Sequence, residues 1–113
     1  MSEPTLSGAE VRRVQQRYEQ LKKELLELGW ISQGSLMHHS PNSWRWTRKV
    51  KAKTRTVALS KEQAELYLQA IANHRRLEEI LRQMRELSQK VLLGSAPGIR
   101  KRPRQKHPKT ALS

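Results

Sequence analysis

The sequence predicts an α+β protein that is mainly α: two long amphipathic helices, antiparallel and coiled-coil-like, joined through a small basic β-hairpin. Apolar residues recur at alternating spacings of three and four on both sides of the middle of the chain, as helices packed along a stripe require. Between them, residues 43–59 alternate with the period of two that is typical of β-strands. We expect residues 1–93 to form a single helix–β-hairpin–helix domain and residues 94–113 to be a disordered basic tail.

The first helix is predicted to begin after Ser7, whose side chain can cap the helix while Glu10 reaches back to complete a capping box. Gly29 is the natural end of this helix. Leu26 lies off the apolar stripe, in a position to widen the buried face. The stripe itself has a heptad pattern and consists of Val11, Val14, Tyr18, Leu21, Leu25 and Leu28.

The connector after this helix has few regular signals. We expect Trp30 to be a core residue between helix and sheet. Residues 34–38 favour a short third strand, which would support a hairpin that is marginal in isolation, and residues 40–42 are a turn signal. His38 and His39 are neighbours that would point to opposite faces of a strand, with no carboxylate or Cys nearby. They therefore do not indicate a metal site.

A hairpin explains why the apolar residues change parity in the middle of the chain. Those before residue 51 have even numbers and those after it have odd numbers, so a single strand would place the two sets on opposite faces. A two-residue turn at Lys51–Ala52 resolves the conflict. Such a turn requires positive φ, which Ala52 disfavours, so either a longer turn forms or Ala52 is strained. The outer half is charged on both faces and has no side to bury. The apolar face at the base consists of Trp44, Trp46, Val57 and Leu59.

The second helix is predicted to begin after Ser60, with Gln63 completing a weaker capping box. Its length of about 33 residues corresponds to roughly 50 Å, so it extends well beyond the first helix. Asn73 interrupts the stripe, either as a buried residue that fixes register or as a surface residue at its edge. The surplus of apolar surface predicts a homodimer through the helices. The stripe consists of Leu66, Ala70, Asn73, Leu77, Ile80, Met84, Leu87 and Val91.

The positive charge is concentrated in two segments. The formal net charge is +13, of which the hairpin and residues 94–113 contribute six units each, while the predicted helices are nearly neutral. Localised charge is the pattern expected of phosphate binding, whereas a merely solvated basic surface, the alternative interpretation, would spread it. The candidate nucleic-acid-binding residues are Arg45, Arg48, Lys49, Lys51, Lys53, Arg55, Arg100, Lys101, Arg102, Arg104 and Lys106.

The composition disfavours catalysis and metal chemistry. Cys and Asp are absent, and neither a Ser-His-acid set nor a glycine-rich phosphate loop can be assembled. We therefore expect no enzymatic activity, no cofactor and no bound metal. The longest apolar runs are only a few residues and the amino terminus is polar, which predicts a cytoplasmic protein without a membrane partner.

Several stretches resemble a family of short bacterial proteins of unknown function that are often encoded near transposase genes. They are residues 27–29 (ELG), 34–36 (GSL), 46–56 (WTRKVKAKTRT) with Leu59, and 71–80 (IANHRRLEEI). The resemblance covers about residues 20–92. Typical members have a Cys-rich knuckle between the GSL and WTR stretches and glycine in the hairpin turn, whereas this chain has no Cys and has Ala52 there. The resemblance implies the architecture and a mobile-DNA context, without a metal-related role.

Two functions follow from these patterns. The first is a non-catalytic nucleic-acid-binding accessory protein whose hairpin and tail contact phosphates. DNA is the expected ligand, bound mostly independently of sequence, because the hairpin has six Lys/Arg and no Asn or Gln. The second is a coiled-coil protein-interaction module that binds a transposase or another acidic protein.

Overall fold

Two helices flank a three-stranded antiparallel sheet of strand order β1-β2-β3 in a computed structural model that describes residues 5–99. The fold class is α+β and mainly α, as the sequence predicts. From residue 100 onward, the predicted tail lies outside the described residues. The elements are α1 (Gly8–Glu27), β1 (Ser35–Ser40), β2 (Ser43–Val50), β3 (Lys53–Leu59) and α2 (Lys61–Gly94).

Both helices begin at the predicted capping boxes. The Ser7 hydroxyl accepts a hydrogen bond from the Glu10 backbone N–H at 3.1 Å, and the Ser7 backbone N–H donates to the Glu10 carboxylate at 3.0 Å. Ser60 and Gln63 form the same reciprocal pair at the start of α2. The hydrogen bond from the Ser7 backbone N–H holds the pKa of Glu10 below its usual value, because it favours the carboxylate form. Both capping predictions are confirmed.

The helices run antiparallel, as contacts at their two ends show. The Leu6 backbone N–H donates to the Gly94 carbonyl at 3.0 Å. Far along α1, Glu24 forms an ion pair with Arg76, which lies in the first half of α2. The carboxyl-terminal part of α2 therefore packs along α1, and its amino-terminal part is left to contact the sheet.

The core is thin. The described residues extend 65 × 35 × 16 Å, and only Leu21 and Ile80 are large side chains with full burial. Leu26 is 87% exposed, so the expected widening of the buried face of α1 is wrong. Neither helix in this region is apolar enough over a sufficient length to cross a membrane. The buried apolar residues are Val14, Leu21, Leu59, Ala64, Ala70, Ile71 and Ile80.

The connector between α1 and β1 is attached to α2 through its backbone. The Asn73 side-chain amide donates to the Trp30 carbonyl at 2.9 Å, and the Ser32 N–H donates to the Ala70 carbonyl at 3.1 Å. The Trp30 side chain is 91% exposed. Its predicted core location is therefore wrong, because α2 binds the backbone of this residue and not its indole. Half-buried Asn73 holds the connector, a role that neither of the two sequence interpretations includes.

The hairpin turn is tight. Val50 pairs with Lys53, so Lys51 and Ala52 are the two turn residues, and their φ angles are 50° and 64°. Positive φ at both positions is the geometry of the type I′ turns that suit the twist of β-hairpins. Of the two possibilities that the sequence leaves open, the structure has the short turn with a left-handed Ala52.

Replacing Ala52 with Gly is expected to raise the free energy of unfolding by about 1 kcal/mol, because glycine adopts left-handed φ without the penalty of a Cβ. The same substitution at Ala58, which lies within β3, is the control and should lower stability by about 0.5–1 kcal/mol. Urea denaturation followed by circular dichroism measures both. A destabilised Ala52→Gly protein would contradict the turn geometry.

The start of the sheet depends on a glycine that admits no side chain. Gly34 has φ +99°, and a Cβ there would lie 2.5 Å from the Thr47 carbonyl oxygen and 2.7 Å from the Trp46 Nε1. Both the backbone angle and the lack of space exclude other residues. The close approach of the connector to β2 at this position therefore requires glycine.

The Gly34→Ala substitution is expected to lower the free energy of unfolding by at least about 1 kcal/mol, because strain and a clash act together. Gly98→Ala is the matched control, since nothing lies within 4 Å of the added Cβ. Thermal and urea denaturation should separate the two variants. Equal stability would show that the connector can move away from β2 at little cost.

Candidate nucleic-acid interface

The hairpin extends beyond the rest of the sheet as a two-stranded ribbon, defined here as residues 48–55. β1 begins at Ser35, which pairs with Thr47, so β2 has no β1 partner closer to the turn. Within the ribbon, Arg48 pairs with Arg55 and Lys49 with Thr54, the same pairs that the predicted turn produces. At ~3.3 Å per residue, its three residues on each strand project roughly 10 Å beyond the three-stranded part.

Most of the predicted basic residues of the hairpin are available to a ligand. Lys53 and Arg55 share one face of the sheet with Trp46, whereas Lys49 lies on the opposite face, because side chains alternate along each strand. The sequence has no acidic residue between Glu27 and Glu62, so this charge has no neighbouring carboxylate along the chain. The exposed members are Arg45, Lys49, Lys51, Lys53 and Arg55.

Arg48 differs from the other basic residues because it packs against the protein. Its side chain is half-buried, and its guanidinium carbon lies 4.2 Å from the centre of the Trp46 ring. Such a cation–π contact stabilises the pair. The Nη1 atom is buried without a hydrogen-bond partner among the described residues. The expectation that the outer half of the hairpin has no side to bury is therefore wrong at this position.

Two acidic residues of α2 are paired with an arginine of the same helix. Arg82 donates to Glu79 at 2.6 Å and to Glu86 at 2.7 Å. The hydrogen bond from Arg82 is the main cause that lowers the pKa of Glu79 to about 2. All ion pairs found within residues 5–99 lie in or between the two helices. Among residues 5–99 the two helices are nearly neutral in sum, so the positive field of this part of the chain is strongest at the hairpin.

Trp46 anchors the hairpin to the rest of the molecule. Its ring centre lies 4.4 Å from that of Tyr67 on α2, with the planes tilted by 40°. Its Nε1–H donates a 2.8 Å hydrogen bond to the Gln33 carbonyl in the connector. These contacts, together with Arg48, occupy the indole with protein partners. The predicted apolar base is only partly buried, because Leu59 is 6% exposed but Val57 is 40% exposed.

The two neighbouring histidines lie apart, as strand alternation requires. The His38 ring packs against Trp44 with centres 4.5 Å apart. His39 contacts the Arg45 guanidinium instead, at 3.3 Å between Nε2 and Nη2. Within the described part of the chain, no three His or Glu side chains come together as metal ligands would.

The sequence analysis missed an exposed apolar groove beside the connector. It has a volume of about 650 Å³ and includes the outward-facing Trp30 and Leu66, which are 91% and 72% exposed. The available signal was the apolar surplus of the longer second helix, which the sequence analysis assigned to a homodimer. The structure shows exposed apolar residues at the amino-terminal end of α2, where Leu66 is 72% and Leu68 is 63% exposed. Its apolar lining consists of Trp30, Ile31, Trp46, Leu66, Tyr67 and Ala70.

Five of the predicted contact residues belong to the carboxyl-terminal tail. They lie outside the described residues and are Arg100, Lys101, Arg102, Arg104 and Lys106.

Truncating two of the tryptophans should affect the free energy of unfolding to very different extents. Trp46→Ala is expected to lower the free energy of unfolding by about 3 kcal/mol, the low end for truncating a packed Trp, because the indole joins α2 to the sheet. Trp30→Ala, with its exposed indole, should change stability by less than about 0.5 kcal/mol. Chemical denaturation measures both values. A Trp46→Ala protein of normal stability that loses nucleic-acid binding would show that the indole stacks on bases instead.

Comparisons of this chain with protein-family models, with curated proteins and with solved structures find no match. Its function is therefore inferred from the geometry and charge of the described residues.

Proposed function

We propose that this protein is a non-catalytic nucleic-acid-binding accessory protein that contacts phosphates through its basic hairpin. The observation that supports this most directly is the exposed ribbon, where Lys49, Lys51, Lys53 and Arg55 project from the fold with no acidic residue in the surrounding sequence. Lys and Arg side chains that neutralise phosphates release condensed counterions, which supplies most of the affinity of sequence-independent binding.

The other basic residues have supporting parts in this proposal. Arg45 extends the charged surface toward the base of the hairpin. Arg48 adds charge while its guanidinium holds the Trp46 indole, so its loss would also affect folding. Basic residues 100–106 add further non-specific affinity, since phosphate contacts need no base recognition. The protein acts in the cytoplasm, and the resemblance to proteins encoded near transposase genes favours a role linked to mobile DNA.

The alternative function is a protein-interaction module that binds a transposase or another acidic protein. The groove around Trp30 and Leu66 favours it, because an exposed apolar surface rimmed by polar residues is typical of a protein interface. A homodimer through the helices would instead cover Leu92 and Leu93, which are 76% and 71% exposed near the end of α2. Analytical ultracentrifugation distinguishes a dimer, and salt-dependent retention on DNA distinguishes the nucleic-acid function.

Replacing Lys49, Lys51, Lys53 and Arg55 together with Gln tests the main proposal. If Lys51, Lys53 and Arg55 each neutralise one phosphate, the log–log salt slope for duplex DNA should fall in magnitude by about 2.7, from ~0.9 per contact, and by about 3.6 if Lys49 also contacts a phosphate. Affinity should fall by similar factors for unrelated sequences, since phosphates are common to all of them. Fluorescence anisotropy across several salt concentrations measures the slope, and circular dichroism verifies folding.

The matched control removes the same charge from exposed helical positions, by changing Arg12, Lys23, Arg75 and Arg85 to Gln. We expect this variant to have nearly the same log–log salt slope for duplex DNA as the unsubstituted protein. If the two quadruple variants lose the same part of it, the whole molecule and not the hairpin provides the phosphate contacts. An unchanged slope in the folded ribbon variant would favour the protein-interaction module.

A further inference from the structure

One face of the sheet is left open by α2. The amino-terminal part of α2 packs on the face that includes Trp46, through Tyr67. The opposite face of β2 presents Arg45, Thr47 and Lys49. We call the part of it nearest the turn the open face; it consists of Thr47, Lys49, Thr54 and Thr56.

The open face has hydrogen-bonding side chains and no carboxylate. Thr47 and Thr56 are cross-strand partners whose hydroxyl oxygens lie 3.3 Å apart. Lys49 and Thr54 form the next pair toward the turn, and both are exposed. In the major groove of DNA, Lys donates to the acceptors of guanine, and Thr can hydrogen-bond with a base or contact the thymine methyl group. The chemistry of this face therefore suits base edges as well as phosphates.

The dimensions of the ribbon also suit the major groove. Two strands lie ~4.8 Å apart, so the ribbon is narrower than the ~12 Å major groove of B-form DNA, which admits a two-stranded ribbon. The major groove of an RNA duplex is too narrow for such an insertion.

We propose that the ribbon enters the major groove of B-form duplex DNA with its open face toward the base edges. Because α2 covers the other face at the base of the sheet, DNA meets the open face without a clash with the helix. Lys53 and Arg55, on the edge strand β3, have long stems that reach the phosphates of the groove wall. This inference rests on the proposed nucleic-acid binding and specifies its ligand as duplex DNA.

Tryptophan positions argue against a single strand as the ligand. Proteins that bind single strands stack successive bases on aromatic side chains. Trp46 is occupied by Tyr67 and Arg48, and Trp44 by His38. Among the described tryptophans, only the exposed Trp30 has a ring that is not packed against another side chain. This ring lines the apolar groove together with Trp46, and the groove lies on the α2 side of the sheet. The open face itself has no aromatic residue.

The test compares a 20-base-pair DNA duplex with the same duplex in which every cytosine is 5-glucosyl-hydroxymethylated. Glucose fills the major groove and leaves the phosphate charge unchanged. We expect the full-length protein to bind the glucosylated duplex at least about tenfold more weakly, the loss of one to two good base contacts. A small molecule that fills the minor groove of the unmodified duplex should leave the affinity of the protein for that duplex unchanged. The corresponding RNA duplex and the single DNA strand should bind more weakly than the unmodified duplex.

Lys49→Gln and Lys53→Gln are a matched pair, because each removes one exposed lysine from opposite faces of the same ribbon. Lys49→Gln should reduce the difference between unmodified and glucosylated duplexes. Lys53→Gln should weaken binding to both by the same factor and preserve their ratio. Equivalent behaviour of the two variants would overturn the assignment of the open face.

Two other outcomes would overturn the inference in different ways. Equal affinity for both duplexes, with the salt slope still dependent on the ribbon, would leave phosphate binding intact and place the ribbon outside the groove. Preferential binding of the single strand that Trp30→Ala abolishes would identify base stacking on Trp30 as the mode of recognition. By contrast, a salt slope that does not depend on the ribbon would reject the proposed function itself.

Discussion

The packing of the Trp46 indole is the interaction on which the rest of the structure depends. The ring contacts Tyr67 of α2, its N–H bonds to the carbonyl of Gln33, and the Arg48 guanidinium lies over it. One side chain therefore joins the second helix, the connector and the middle strand. In a core as thin as this one, this contact is a main attachment of the sheet to α2, beside buried Leu59 at the end of β3. It therefore helps to set the direction in which the ribbon projects.

This anchor imposes a constraint on the connector. The Gln33 carbonyl reaches the indole only because Gly34, at φ +99°, lets the chain pass against β2 without a Cβ. Farther back, Asn73 and the Ala70 carbonyl hold the backbone on either side of Ile31. Two backbone groups of the connector are thus bonded to α2, while the Trp30 side chain faces outward.

The exposed basic residues of the ribbon lie apart from the contacts that hold the helices and the sheet together. The ion pairs of the described residues lie in the helices, where Arg82, for example, pairs with Glu79 and Glu86. No basic residue of the ribbon forms an ion pair in the described structure. Only Arg48 packs against the protein, through its contact with Trp46. The proposed binding of a polyanion to the exposed side chains of the ribbon would therefore leave the contacts that stabilise the fold in place. The apolar groove at Trp30 is a separate surface, so nucleic-acid and protein binding would not exclude each other.

The sequence by itself determined the local features of the protein. The capping boxes at Ser7 and Ser60 and the hairpin follow from short-range hydrogen bonding and from the period-two alternation of strands, so they need no tertiary information. The sequence left the length of the hairpin turn open. The basic composition of the ribbon was equally evident. Tertiary structure alone decided how long-range contacts use these elements. Trp30 and Leu26 face solvent, Arg48 packs on Trp46, and Asn73 binds the connector. Apolar or charged character does not specify these outcomes, because each depends on which distant residue is close enough to make the contact.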